Sequence, residues 1–227
     1  MTDDATHPGT LTGSQVAPVG RRERSKADKL ARIFDAGAEL FEVRGFAAVT
    51  TQEIANRADI GAGTLFQYVT SKAELLVMVY NQRFAQAVAD GWEAQQRERG
   101  LRPRLLAQLR PVVECNREHV ENGRAYLHET VFGDPGDRYR AEALVITADL
   151  CRRIALILID SGAVAGPAAE ASARVVFAVV FTELSSALNA DHAAEQLLAD
   201  IDQLLATHFA TWATDTSPPG AARKESQ

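Results

Sequence analysis

Lys72 occupies an electrostatically costly position. The run Ser71-Lys72-Ala73-Glu74 has the pattern of a capping box that opens a helix. Its cation therefore faces the positive end of the helix dipole, at a cost of roughly a few tenths of a kcal/mol. A docked phosphate reverses that cost, because a helix N-terminus favours anions. Just upstream, Gly61-Ala62-Gly63-Thr64 begins a second helical segment with small side chains, which lets a backbone approach a base-pair edge closely. Gln67, one turn further on, carries an amide suited to paired hydrogen bonds with an adenine. The chemistry these residues offer is contact with a duplex, phosphates fixing position and base edges giving specificity.

Positioning them requires short, sharply bounded elements. Thr50-Thr51-Gln52-Glu53 forms a capping box, and Ile54, Ala55 and Ala58 supply a small apolar face behind it. Asp59-Ile60-Gly61 ends that helix after two turns, and the next one buries Leu65 and Val69. Upstream, Leu30, Ile33, Phe34, Gly37, Leu40 and Phe41 fall on one face of a helix that ends near Gly45. Two short helices joined by a tight turn and braced by an amphipathic helix describe a helix-turn-helix. Residues 21–32 place six Lys or Arg against two acids, a basic edge suited to backbone or minor-groove contact.

On these residues the sequence resembles the tetracycline-repressor (TetR) family of transcriptional regulators, over roughly residues 30–78. The pattern is carried by Leu40-Phe41, Gly45-Phe46, Thr50-Thr51, Ile54-Ala55, Gly63-Thr64-Leu65-Phe66, Tyr68 and Ser71-Lys72-Ala73-Glu74-Leu75. The resemblance implies that Thr51, Tyr68 and Lys72 contact phosphates, while Gln52, Ala62, Gly63, Thr64 and Gln67 face base edges. Phe66 belongs to the same contact set but lacks the hydroxyl of the family's usual Tyr. Gly61 stands where the family commonly caps with Ser, and Val69 where Phe is common. The resemblance also implies a small-molecule cavity in the middle of the chain and a homodimer built on the last two helices. For the cavity the candidates are Cys115, Asn116, His119, Tyr126, His128, Phe177 and Phe181, with Phe132 and Tyr139 nearby in sequence. For the dimer they are Val176, Val180, Leu184, Leu188, Leu197, Ile201, Leu204, Leu205 and Trp212.

The remaining chain also has helical spacing. Leu76, Tyr80, Phe84 and Val88 recur at four-residue steps in a helix from about Lys72. Pro103 suits a helix start, Pro111 is expected to kink or divide the segment 103–122, and Gly123 to end it. A Gly133-Asp134-Pro135-Gly136 turn precedes a helix that runs to about Asp160, and Ser161-Gly162 stops it. Pro167 opens the next, and Ala194, Leu197, Leu198, Ile201, Leu204, Leu205, His208 and Trp212 form the stripe of the last. No useful run alternates with period two. The expected fold is all-α with about nine helices. The expected divisions are a disordered, partly basic arm (1–25), a DNA-binding domain (26–87, the helix-turn-helix proper about 50–69), a ligand-binding and dimerisation domain (88–213) and a disordered tail (214–227).

Composition excludes several classes. The 227 residues carry a net charge of −6 and are 46% hydrophobic, enough for a sizeable core. The longest apolar run, Val175 to Phe181, falls far short of the ~20 residues that span a bilayer. The N-terminus lacks the apolar stretch of a secretory signal. Two cysteines make no disulfide framework, so a cytoplasmic setting is expected. Cys115 and His119 stand at i, i+4 without a third metal ligand near in sequence, and neither metal nor cofactor is expected. No nucleophile elbow, phosphate-binding loop or paired-histidine zinc motif occurs. Residues 21–75 hold nine Lys or Arg against eight Asp or Glu, and residues 76–227 fifteen against twenty, so the acidity lies mainly in the body. Taken with the helix-turn-helix, the family resemblance implies a homodimeric, ligand-responsive regulator of double-stranded DNA with a near-palindromic operator, most readily a repressor. The alternatives are a helical interaction module of the same fold without DNA binding, and an all-helical enzyme.

Overall fold

A computed structural model describes residues 20–209 of the chain. The expected C-terminal tail, most of the N-terminal arm and Trp212 lie outside the described residues. Within them are nine α-helices and no strand. In order they are α1 (Arg21–Arg44), α2 (Thr51–Arg57), α3 (Ala62–Leu65), α4 (Lys72–Gln95), α5 (Leu101–Glu118), α6 (Val120–Phe132), α7 (Arg138–Asp160), α8 (Pro167–Ser185) and α9 (Ala194–His208). A single 3-10 turn, Ala187–Asn189, joins the last two. None of these helices is long and apolar enough to cross a membrane.

The first three helices pack into a small head, and α4 joins it to the body. Residues Leu75 to Asn81 are all buried, because α1 covers one side of α4 while α5, α6 and α7 cover the others. One continuous apolar core results, running from Ile33 and Phe41 in α1 to Ile201 and Leu205 in α9. The α1 helix ends at Gly45, whose φ of +78° is easy for glycine and rare for other residues.

The structure corrects the sequence in several places. Residues 21–25, assigned to a disordered arm, are the first turns of α1. Pro111 lies inside an unbroken α5, and the chain breaks instead at His119 (φ −142°, ψ 96°), which ends α5 and caps α6. Gly123 stops nothing. It sits within α6 against α5, where an added Cβ would fall 2.4 Å from the Asn116 carbonyl oxygen. The second capping box is only half formed. Ser71 accepts from the Glu74 N–H, but the Glu74 carboxylate reaches the Thr70 N–H rather than that of Ser71. Finally, Val176, Val180, Leu184, Leu197, Ile201 and Leu205, assigned to a dimer face, are buried inside the protomer. The stripes of α8 and α9 turn inward because the body needs their apolar area for its own core. Of the proposed dimer positions that the structure describes, Leu188 and Leu204 keep substantial exposure, 91% and 44%.

Candidate nucleic-acid interface

The head fixes its two short helices by local chemistry. The Thr50 hydroxyl accepts from the Glu53 N–H at 3.2 Å, and the Glu53 carboxylate accepts from the Thr50 N–H at 2.8 Å, completing the expected capping box. Arg44, in the last turn of α1, holds the other Glu53 oxygen at 2.6 Å and the Ala48 carbonyl at 2.8 Å. The Arg44 guanidinium, followed by the Thr50 hydroxyl and N–H, lowers the Glu53 pKa to about 2. The α2–α3 turn passes through Asp59 at φ +53°, and the Arg32 guanidinium of α1 reaches back to the Asp59 carbonyl at 3.3 Å. The second helix is a single turn, Ala62–Leu65, so Gln67 and Val69, expected within it, fall after its end. Leu65 and Val69 are buried as expected and anchor the segment to the core.

The opposite side of α3 is open. An added Cβ on Gly63 would meet nothing within 4 Å, so no packing demand keeps that position bare. Gly63 and Gln67 are exposed, Phe66 is 50% exposed, and Ala62, Thr64 and Tyr68 are half-buried. At the start of α2, Thr51 is half-buried and Gln52 is exposed, its amide donating to Asn56 at 2.9 Å. Gln67 and Tyr68 line one groove with Arg21, Arg22, Ser25, Lys26 and Lys29 of α1. The basic edge of the sequence is thus a helical wall beside the recognition segment. Only the folded position of α1 makes that adjacency visible.

Lys72, half-buried at the start of α4, is held by the α1–α2 loop. Its ammonium donates to the carbonyls of Phe46 and Val49, both at 2.8 Å, and stands 4.4 Å over the Phe46 ring. The residue therefore ties the first turn of α4 to the α1–α2 loop. The sequence, which offered a phosphate as the reason for this lysine, gave no sign of that role.

Among the described residues a largely enclosed cavity in the body lies between α4, α5, α6, α7 and α8. Tyr126, Phe177 and Phe181 line it as expected, joined by Phe84, Val88, Leu127, Thr130, Ile146 and Leu150. Val180 and Leu184, expected at the dimer face, line it too. The other cavity candidates lie elsewhere. Cys115 borders an outer cleft, and burial pushes its thiol up to about 12. Asn116 is buried at the α5–α6 crossing, His119 caps α6 with its Nδ1, and His128 is exposed beside Phe132. Among the described residues, no three His, Cys, Asp or Glu side chains gather as a metal site. Sequence reasoning missed the link from this cavity to the head. Asn122 of α6 donates to the Phe41 carbonyl at 2.7 Å, and Glu121 accepts from the Ala47 N–H.

With this geometry in hand, residues 33–79 match the family described as bacterial regulatory proteins, tetR family. Over 79 residues the chain is 35% identical to the HTH-type transcriptional repressor KstR of Mycolicibacterium smegmatis, covering 35% of this chain and 36% of that one. It is 36% identical over 75 residues to KstR of Mycobacterium tuberculosis, covering 33% and 32%. The matched stretch therefore spans about a third of the length of these curated relatives. Among solved structures, it is similar to Thermus thermophilus FadR, a TetR-family transcriptional repressor in complex with lauroyl-CoA. The TM-score is 0.61 at 22% identity, over 86% of this chain and 99% of that one. RolR in complex with resorcinol gives a TM-score of 0.63 at 18% identity, over 89% and 100%.

Proposed function

We propose that this chain, which carries a tetR-family head on an all-helical body, is a sequence-specific DNA-binding repressor that a small molecule releases from its operator. The observation that carries this reading is the recognition segment itself. Gly63 in α3 and Phe66 and Gln67 in the turn that follows it stand exposed, with Leu65 anchoring the segment, beside a wall of four cations from α1. Small residues there admit a base edge, the Gln67 amide reads it, and Arg21, Arg22, Lys26 and Lys29 meet the adjoining backbone. Thr51 and Tyr68 serve phosphates, and Gln52 and Thr64 face bases at the flanks. A homodimer presents two such heads to a near-palindromic site about one helical turn or more apart. Acting on chromosomal DNA places the protein in the cytoplasm.

The effector enters through the body. KstR is a repressor by name, and the solved relatives hold lauroyl-CoA and resorcinol within the same overall fold. In the present chain the cavity between the central helices is the place proposed for such a ligand. A ligand shifts the equilibrium between head arrangements only through differential affinity for them. The α6 helix, whose middle lines the cavity and whose N-terminus holds α1, is the path for that difference.

Selection of genomic fragments on the purified full chain tests the proposal. Enrichment of one near-palindromic sequence is the expected result, with Gln67→Ala relaxing preference at a single position. Failure to enrich any sequence overturns the regulator and favours an interaction module of the same fold.

A further inference from the structure

The lining of the enclosed cavity points to the chemistry of the effector. None of the side chains that bound it is Asp, Glu, Lys, Arg or His. Each of four open clefts elsewhere on the molecule carries three or more ionised side chains. The cavity's polar groups are the hydroxyls of Tyr126, Thr130 and Thr147. Two of these donate within the protein, Tyr126 to Asn81 Oδ1 at 3.1 Å and Thr130 to the Tyr126 carbonyl at 2.8 Å. A ligand carboxylate, phosphate or ammonium would find no counter-charge there, and an unpaired charge is strongly disfavoured in such a site.

The cavity is also nearly closed, at about 30 Å³. That is far below the several hundred Å³ of a typical small-molecule pocket, so a ligand makes room by moving side chains. The movable ones are Phe177 and Phe181, both half-buried, with ring centres 6.1 Å apart. Phe181 in turn meets Phe132 at 6.5 Å, and Phe132 is 68% exposed at the end of α6. A run of aromatic rings thus leads from the surface to the cavity wall, and it offers a passing molecule apolar contact at every step.

We propose that the effector is an uncharged, predominantly hydrocarbon molecule, admitted past Phe132 and Phe181 and seated among Phe84, Tyr126, Leu150 and Phe177. This rests on the regulator reading only for the word effector, because the ligand class follows from the lining. Opening the rings is a conformational cost, and any substitution that removes it raises apparent affinity.

The test uses the full chain and the neutral fluorophore N-phenyl-1-naphthylamine, whose emission rises in apolar surroundings. Decanol displaces it from the wild-type protein, while decanoate of equal length requires about 100-fold more. Phe177→Ala tightens binding of the fluorophore about tenfold. Thr147→Lys, at a half-buried wall position, reverses the order of decanol and decanoate. Equal displacement by the two from wild type overturns the proposal. So does absence of fluorophore binding in both wild type and Phe177→Ala when circular dichroism shows each folded. A protein that selects an operator yet takes up no neutral probe ends this inference and leaves the regulator standing. Neutral-ligand uptake without operator selection keeps the ligand class and ends the regulator.

Discussion

The Lys72 ammonium has two of its three N–H donors engaged by the Phe46 and Val49 carbonyls, and its charge rests on the Phe46 ring. Hydrogen bonds from a charged group contribute more than neutral ones, and these two close the loop that precedes α2. Lys72→Ala should therefore lower the stability of the full chain by about 1–2 kcal/mol in urea unfolding. If the remaining donor also serves a phosphate, the same substitution weakens binding to all DNA sequences and makes the salt slope shallower by about one. Tyr68→Phe removes a hydroxyl from the proposed DNA surface and should change the DNA measurement alone. An unchanged urea midpoint in Lys72→Ala would remove the bracing role, and an unchanged slope would remove the phosphate. The neighbouring Glu53 gives a pH signature. Its carboxyl is held below its ordinary value of 4.5, at about 2, chiefly by Arg44. A folded-state pKa below the unfolded one adds stability above the unfolded value, and that stability is lost as pH falls through the folded one. Glu53→Gln should accordingly flatten the decline in thermal stability between about pH 4.5 and 2, compared with wild type. A wild-type slope in the variant would mean that Arg44 does not hold this group.

At the scale of elements, α6 carries the most information that the sequence concealed. Glycine at 123, expected to end a helix, instead allows a close contact with α5 that no local pattern encodes. Proline at 111 removes one N–H, yet packing on both sides keeps α5 helical across it. The Thr50–Glu53 capping box, Gly45, Ser161-Gly162 and Pro167 were legible because their effects are local, confined to the residues that name them. Contacts such as Arg32 with Asp59 or Asn122 with Phe41 join residues 27 and 81 positions apart, and no local pattern encodes them. Gly123→Ala should cost about 1–3 kcal/mol, since the new Cβ would lie 2.4 Å from backbone oxygen that cannot swing away. A wild-type melting temperature would show that α5 and α6 separate freely. Asn122→Ala tests the other end of the element. It removes the tie between α6 and the Phe41 carbonyl while leaving the recognition segment untouched. Operator binding should persist, and release by ligand should weaken severalfold. Full release in an operator-binding assay would route the coupling through α4 instead.

At the scale of the molecule, an apolar stripe reports that a face is covered but not what covers it. The stripes of α8 and α9 were legible as faces, and their assignment to a second copy was not. Val176, Val180, Leu184, Leu197, Ile201 and Leu205 are consumed by the protomer's own core. In the proposed homodimer a partner would have to meet the outer surface of this region, where Leu204 of α9 and Leu188 of the 3-10 turn between α8 and α9 keep substantial exposure. The charge distribution is compatible with the proposed dimer, because an acidic body and a near-neutral head with a basic edge would favour DNA only when two heads dock together. Charge substitutions separate the two kinds of position. Val180→Glu places a carboxylate in the core and should unfold the chain or lower its melting temperature severely. Leu188→Glu with Leu204→Glu should leave melting of the protomer nearly unchanged and convert dimer to monomer in sedimentation velocity at micromolar concentration. The same double variant should lose most operator affinity, since one head reads too few base pairs to hold alone. A variant that stays dimeric would move the interface away from the ends of α8 and α9. A wild-type chain that sediments as a monomer yet binds its operator tightly would remove the need for a second head.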